Sequence, residues 1–276
     1  MCRLLGFVAA SPASVKGLVG GAQLDRFTAL AALHGDGWGS GWVTEPGQAP
    51  SIERTANSAA LDPEYRRTVD DTSAVARILH LRWATEGFRV EAANTHPFGA
   101  DGLAFAHNGS ISPGDPLDAL LRPSTHAGLV GDTDSERYFG LIRQELADRS
   151  DGLAPASVRA ASALRLRYPH ASLNALLLSR DELVVVHANS QRGAPLDELR
   201  ALPGGAPPDH LSAYFLMRWL RTPDGSLVFA SSGMHARGWE PLPEESVTTV
   251  DLRTREMRHL PLLTRRGTVP RQLVSG

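Results

Sequence analysis

The chain has one cysteine and one lysine (Lys16) in 276 residues, 6% aromatics, and no excess of either charge, with 28 basic residues against 30 acidic. A single cysteine excludes an intramolecular disulfide and any zinc or iron–sulfur centre built from several cysteines. A net charge of −2 excludes a dedicated nucleic-acid binder, which needs a basic face to neutralise phosphates. The arginine-for-lysine bias is read as compositional. No run of about 18 apolar residues occurs, so no membrane span is expected. Residues 4–10 form a short apolar stretch, but only Met1-Cys2-Arg3 precedes it and a Pro-Ala-Ser turn follows. The stretch is only at the minimum length for a secretory leader and is broken at once, and a cytoplasmic protein is expected.

Apolar residues make up 42% of the chain, enough to bury a full core. The length suits one large domain or two small ones. No repeat or low-complexity linker appears, so residues 1–262 are read as one domain and 263–276 as an Arg-rich tail. Helical spacing marks 23–33, 134–148 and 154–166. Strands are expected at 3–8, 42–43, 76–84, 103–106, 173–178, 182–187, 213–220, 226–230, 247–252 and 257–260. Strand follows strand without a regular βαβ alternation, which is an α+β pattern. The glycine-rich stretch from His34 to Trp42 signals a backbone that turns tightly or passes close to something. Gly204-Gly205 and Pro207-Pro208 mark a loop.

Several clusters could carry chemistry, each with an ordinary reading of its own. Cys2 near a chain start is commonly a small buried hydrophobe. If Met1 is removed, it carries both a thiol and the free α-amine, with reference pKa values of about 8.5 and 7.7–8.0. The amine can then take the thiol proton, making nucleophile and base from one residue. Arg82, within His80-Leu81-Arg82-Trp83-Ala84-Thr85-Glu86-Gly87, offers a planar fork that matches a carboxylate, or is a surface arginine beside a core tryptophan. His96, in Asn94-Thr95-His96-Pro97-Phe98, is a loop hydrogen-bonder or a catalyst. His107-Asn108-Gly109 is a turn, or a side-chain amide and a backbone N–H aimed at one point as an oxyanion hole. Gly131-Asp132-Thr133-Asp134-Ser135-Glu136 is an N-cap with an acidic first turn, or one of its carboxylates faces a substrate ammonium. Together they describe a site for an α-amino acid head with a side-chain carbonyl.

In this order, Met1-Cys2-Arg3-Leu4-Leu5-Gly6, Asp36-Gly37-Trp38-Gly39, Arg82-Trp83-Ala84-Thr85, Thr95-His96-Pro97-Phe98, His107-Asn108-Gly109 and Asp132-Thr133-Asp134 resemble a class II glutamine amidotransferase domain of the N-terminal nucleophile hydrolase superfamily. The match spans about the first half of the chain. The resemblance implies a four-layer αββα sandwich and hydrolysis of a γ-glutamyl amide through a Cys2 thioester, releasing glutamate and ammonia or an amine. It implies Cys2, Asn108 and Gly109 as catalytic residues. It implies Arg82 against the α-carboxylate, Asp134 against the α-ammonium, Trp83 and Thr85 as pocket wall, and His96 as a further binding residue. The short start and the DGWG loop look most like the small stand-alone members, one group of which includes the γ-glutamyl hydrolase of ergothioneine synthesis. Glu86 departs from the histidine common in the sugar-amide branch.

No metal or organic cofactor is expected, because His80, His96 and His107 are widely spaced. With no synthase region after residue 276, either a free-standing hydrolase or a glutaminase subunit feeding ammonia to a separate synthase partner is expected. A non-catalytic γ-glutamyl-binding module is the remaining alternative, and it has no need of a nucleophile. For a free-standing hydrolase, the leaving amine is expected near Ser231, Ser232 and Trp239.

Overall fold

The structure is a computed structural model that describes residues 2–85, 87–189, 196–201, 208–234 and 238–263. The first half runs β1 (Arg3–Ala13), α1 (Val15–Val19), α2 (Gly21–Ala29), β2 (Trp38–Val43), β3 (Ser51–Thr55), α3 (Pro63–Asp70), β4 (Ala74–Leu81), β5 (Phe98–Ala100), β6 (Leu103–Asn108), α4 (Asp115–Asp118) and α5 (Pro123–Ala127). The second half runs α6 (Asp134–Arg149), α7 (Leu153–Arg167), β7 (Asn174–Leu178), β8 (Glu182–His187), α8 (Leu196–Arg200), α9 (Pro208–Ser212), β9 (Arg218–Arg221), β10 (Leu227–Ala230), β11 (Glu240–Pro241), β12 (Ser246–Asp251) and β13 (Met257–Pro261). One sheet has the order β11-β9-β10-β1-β4-β2-β3 and the other β13-β12-β8-β7-β6-β5. Every described pairing is antiparallel. No described helix is long and apolar enough to cross a membrane.

The layers follow from side-chain alternation. Leu4 and Val8 of β1, Ala76 and Ile78 of β4, Ala104 and Ala106 of β6, and Leu176 and Leu178 of β7 form one buried cluster between the sheets. The alternate residues face outward. Leu5, Phe7, Leu79 and Leu81 pack with Leu24, Phe27, Tyr65 and Val69 of α2 and α3. On the other side, Phe105, Leu177, Val184 and Val186 pack with Tyr138, Ile142, Ala161 and Leu164 of α6 and α7. The result is helix, sheet, sheet, helix, the αββα sandwich expected from the sequence.

Helix α6 starts where its signals place it. The Thr133 side chain accepts from the Glu136 N–H, and Asp134 and Glu136 sit in the positive first turn. Elsewhere the expected elements shift. The strand expected at 213–220 begins only at Arg218, after helix α9 and a turn. Helix α3 was not anticipated, although its signal is local: Asp62 accepts from the Glu64 N–H and Pro63 opens the first turn. The glycine-rich stretch is strand from Trp38 on, with glycine at alternate positions. A Cβ at Gly41 would stand 2.9 Å from the Ala104 Cβ on the opposite sheet and 3.3 Å from Ile78. The facing sheet therefore lies close where β2 has no side chain. The tail from 264 and the Gly204-Gly205 pair lie outside the described residues, as does Pro207, while Pro208 opens α9.

Gly41→Ala is expected to force the sheets apart or shift β2, costing about 1–3 kcal/mol. The urea midpoint measures this, and an unchanged midpoint would show that the sheets do not meet there.

Candidate active site

Cys2 precedes β1 in the parity of Leu4 and Val8, so it belongs to the layer between the sheets. Asn108 ends β6 in the parity of Ala104 and Ala106. His80, next to last in β4, has the parity of Ala76 and Ile78, and Arg82 continues it. One edge of the inter-sheet layer therefore gathers these four residues, and all are buried.

The Cys2 backbone nitrogen donates to Asn108 Oδ1 at 3.1 Å. That bond fixes which end of the amide faces Cys2, and it leaves Asn108 Nδ2 buried without a partner. The Cys2 sulfur lies 3.8 Å from the Trp83 carbonyl. Arg3, on the opposite parity, anchors the chain start from behind. Its guanidinium donates to the Cys2 carbonyl at 2.5 Å, to the Tyr214 carbonyl at 3.2 Å and to Ser232 Oγ at 2.6 Å, and it lies 3.9 Å over the Tyr214 ring. The sequence reading gave Arg3 no role; a buried arginine next to the cysteine is the signal that could have found it.

The end of β6 is locked by hydrogen bonds. His107 Nε2 donates to the Ser172 carbonyl at 3.0 Å, because that oxygen only accepts, and Nδ1 lies against Ser135 Oγ at 2.9 Å. Burial lowers the basicity of His107, which the nearby Asp134 charge partly restores. Ser172 Oγ donates to the Asn108 carbonyl at 2.7 Å. A Cβ at Gly109 would overlap the Ser172 carbonyl, so this position needs glycine for close approach.

Arg82 is 3% exposed. Its guanidinium donates to the Asp36 carbonyl at 3.3 Å and the Arg89 carbonyl at 3.0 Å. Among the described residues no carboxylate lies within ion-pair distance of it. The Asp36-Gly37 segment also exchanges backbone hydrogen bonds with Arg82, and Asp36 Oδ2 accepts from the Ala84 N–H at 2.8 Å. The DGWG loop thus holds the Arg82–Ala84 backbone. Trp83 is half-buried with its ring edge-on to His34, Thr85 is exposed, and Glu86 lies outside the described residues.

The two acidic candidates sit differently. Asp134 is buried; Oδ2 accepts from the Ile111 N–H at 2.5 Å and Oδ1 from the Ser135 N–H at 2.8 Å. Asp132 keeps its side chain 46% exposed and accepts from Asn94 Nδ2 at 2.7 Å. Asn94 Nδ2 also donates to the Arg89 carbonyl at 3.3 Å, the same oxygen that holds Arg82. Asp132 is therefore linked to Arg82 through Asn94 and one peptide carbonyl. Asn94 itself is fully buried and was not anticipated as an organising residue.

The fold brings His80 and His96 together at a ring-centroid distance of 4.3 Å, beside Cys2. A Cβ at Gly39 would overlap the His96 carbonyl oxygen, so the bare backbone of β2 lets this loop lie against the sheet. One ligand-type atom from each of Cys2, His80 and His96 lies within 4.8 Å of the others. Sequence distance kept these groups apart in the initial reading; His107 alone turns away, toward the helices. Ser231 and Ser232, expected near a leaving amine, instead bond the Leu4 and Tyr214 backbone and Arg3, and Trp239 packs partly buried against the core of the first sheet.

A family model for class II glutamine amidotransferases matches residues 1–206. The chain is 40% identical over 99 residues to a glutamine–fructose-6-phosphate aminotransferase (isomerizing) of Pseudomonas syringae pv. tomato, covering 36% of this chain and 16% of that protein. It is 30% identical over 171 residues to one from Brucella suis, covering 61% and 26%. The chain thus spans only 16% to 26% of the length of these relatives. A glutamine aminotransferase class-II domain protein from Silicibacter pomeroyi superposes with a TM-score of 0.63 at 17% identity, over 95% of this chain and 100% of that one. Glutamine phosphoribosylpyrophosphate amidotransferase from B. subtilis gives 0.59 at 14% identity, over 96% of this chain and 50% of that one. At such identities these structures share the sandwich fold. With the family model extending over well more than half of its length, the chain belongs to the class II glutamine amidotransferases.

Proposed function

We propose that this chain cleaves the side-chain amide of glutamine, or of a γ-glutamyl amine, through a covalent thioester on Cys2. The observation that carries the reading is the Cys2 nitrogen bonded to Asn108 Oδ1, which leaves the buried Nδ2 as an unspent donor. A buried donor without a partner is unfavourable at rest and becomes favourable when charge develops on a substrate oxygen.

Removal of Met1 frees the α-amine. It takes the thiol proton, and the sulfur attacks the amide carbon. Asn108 Nδ2 and the Gly109 N–H hold the oxyanion, each such donor being worth about 3–4 kcal/mol. The C–N bond breaks as the ammonium proton passes to the departing nitrogen. Water then gives its proton to the amine and attacks the thioester, releasing glutamate and restoring the thiol. Arg82 takes the α-carboxylate. Its support is a buried cation held only by carbonyl oxygens among the described residues. The α-ammonium goes to Asp132 rather than Asp134, because Asp132 is the half-exposed carboxylate tied to the Arg82 support while Asp134 serves backbone amides. Trp83 flanks the sulfur as pocket wall.

A second reading is a glutaminase unit that passes ammonia to a separate synthase partner. Its support is that the curated relatives are named as aminotransferases and extend far beyond the matched region. Glutamate release from glutamine and a panel of γ-glutamyl amides, with and without cell extract, separates the two. Turnover by the chain alone favours the free-standing hydrolase, and activity that needs extract favours the partner.

Intact mass is expected to show loss of Met1, and Cys2→Ala is expected to abolish glutamate release with an unchanged circular dichroism spectrum. Activity in a chain that keeps Met1 would remove the amine from the mechanism. Arg82→Ala is expected to raise KM for glutamine by about 10–100-fold, the worth of a hydrogen bond to a charged group. The same variant is expected to stop discriminating glutamine from its α-carboxamide analogue, a loss that a merely structural role would not produce.

A further inference from the structure

The edge of the inter-sheet layer holds two groups that the hydrolytic steps leave unused. His80 is fully buried and His96 is 4% exposed. Neither nitrogen of His96 reaches a hydrogen-bond partner, and His80 has at most a loose contact with the His107 backbone. Burying imidazoles without partners is unfavourable, so the pair is suited to a ligand. Beside them lies the sulfur of Cys2, within 4.8 Å of a nitrogen on each ring.

We propose that Cys2, His80 and His96 form a site for a zinc-like divalent cation, which binds the sulfur as thiolate and reversibly blocks the nucleophile. One sulfur and two imidazole nitrogens are the borderline-soft set that suits zinc over magnesium or calcium. Bonds of about 2.3 Å to sulfur and 2.0–2.1 Å to nitrogen require the three atoms to close in by about 1 Å, which side-chain rotation supplies. Binding exchanges the thiol proton for the metal and involves no change of oxidation state. Arg82, buried at the same edge, puts a positive charge near both rings. That same arginine charge weakens the hold on a cation, and three protein ligands leave a fourth position open. Both features favour exchange over permanent occupancy. The inhibitory consequence rests on the proposed role of Cys2; the binding site itself does not.

Cys2 is the only cysteine in the chain, so its alkylation by iodoacetamide can be followed by mass without ambiguity. Zn²⁺ is expected to slow that reaction in the full-length protein by about tenfold or more, reversibly with EDTA, while Mg²⁺ has no effect. Co²⁺ is expected to give a sulfur-to-cobalt charge-transfer band that disappears after alkylation of the wild-type protein. His80→Gln and His96→Gln, checked for folding by thermal melting, are each expected to weaken Zn²⁺ protection by more than the roughly 10–100-fold lost with an outer-shell partner. Failure of Zn²⁺ to slow alkylation, or equal protection in folded histidine variants, overturns the site. Should the variants not fold, the cobalt band of the wild-type protein decides, and its absence overturns the site as well. Glutamine turnover measured in EDTA keeps the two ideas apart. Turnover without Zn²⁺ protection sinks the metal site alone, and protection without turnover, with cell extract as well as without, sinks the hydrolytic reading alone.

Discussion

Side chains alternate across a strand with a period of two, and everything in this molecule follows from how three strands use that constraint. Along β1, β4 and β6 the inward positions are small or aliphatic until the strand ends, where they become Cys2, His80 with Arg82, and Asn108. The apolar inner face fixes the register of each strand. The polar residues are carried to one edge of the inter-sheet layer by the burial of their apolar neighbours. A one-residue slip in β6 would bury Phe105 between the sheets and turn Asn108 toward the helices.

The edge is fixed by contacts that occupy backbone groups. Arg3, on the outward parity, ties the Cys2 carbonyl to Tyr214 and Ser232. His107, also outward, ties β6 to Ser135 and to the Ser172 carbonyl. Asp36 and Gly37 hold the Arg82 backbone. Cys2, Arg82 and Asn108 thus each have an outward neighbour or a facing loop that carries the structural load. In a low-dielectric interior, the groups left unpaired are costly.

Bare backbone sets the distances. Gly41 lets β2 meet Ala104 on the other sheet, Gly39 admits the His96 carbonyl, and Gly109 admits the Ser172 carbonyl. The sequence announced that the chain passes close to something at 34–42, but not what. The neighbours lie on β6 and on the 94–97 loop, far along the chain.

The sequence by itself determined the nucleophile candidate, the ends of helices α6 and α7 to within a residue or two, most strands, and the family, because these are written in local patterns and in the order of short motifs. It did not reveal α3, since a short helix over 63–70 is a weak periodic signal. It did not place the start of β9 either, because the apolar run from 213 reads alike as strand or buried turn. Only the tertiary structure decided which acidic residue stays half-exposed beside Asn94 and Arg89 and which serves backbone amides, that Arg3 anchors the Cys2 backbone, and that His80 and His96 meet beside Cys2. Those choices depend on packing between segments distant in sequence, where direction and distance are fixed by the sandwich and leave no local trace.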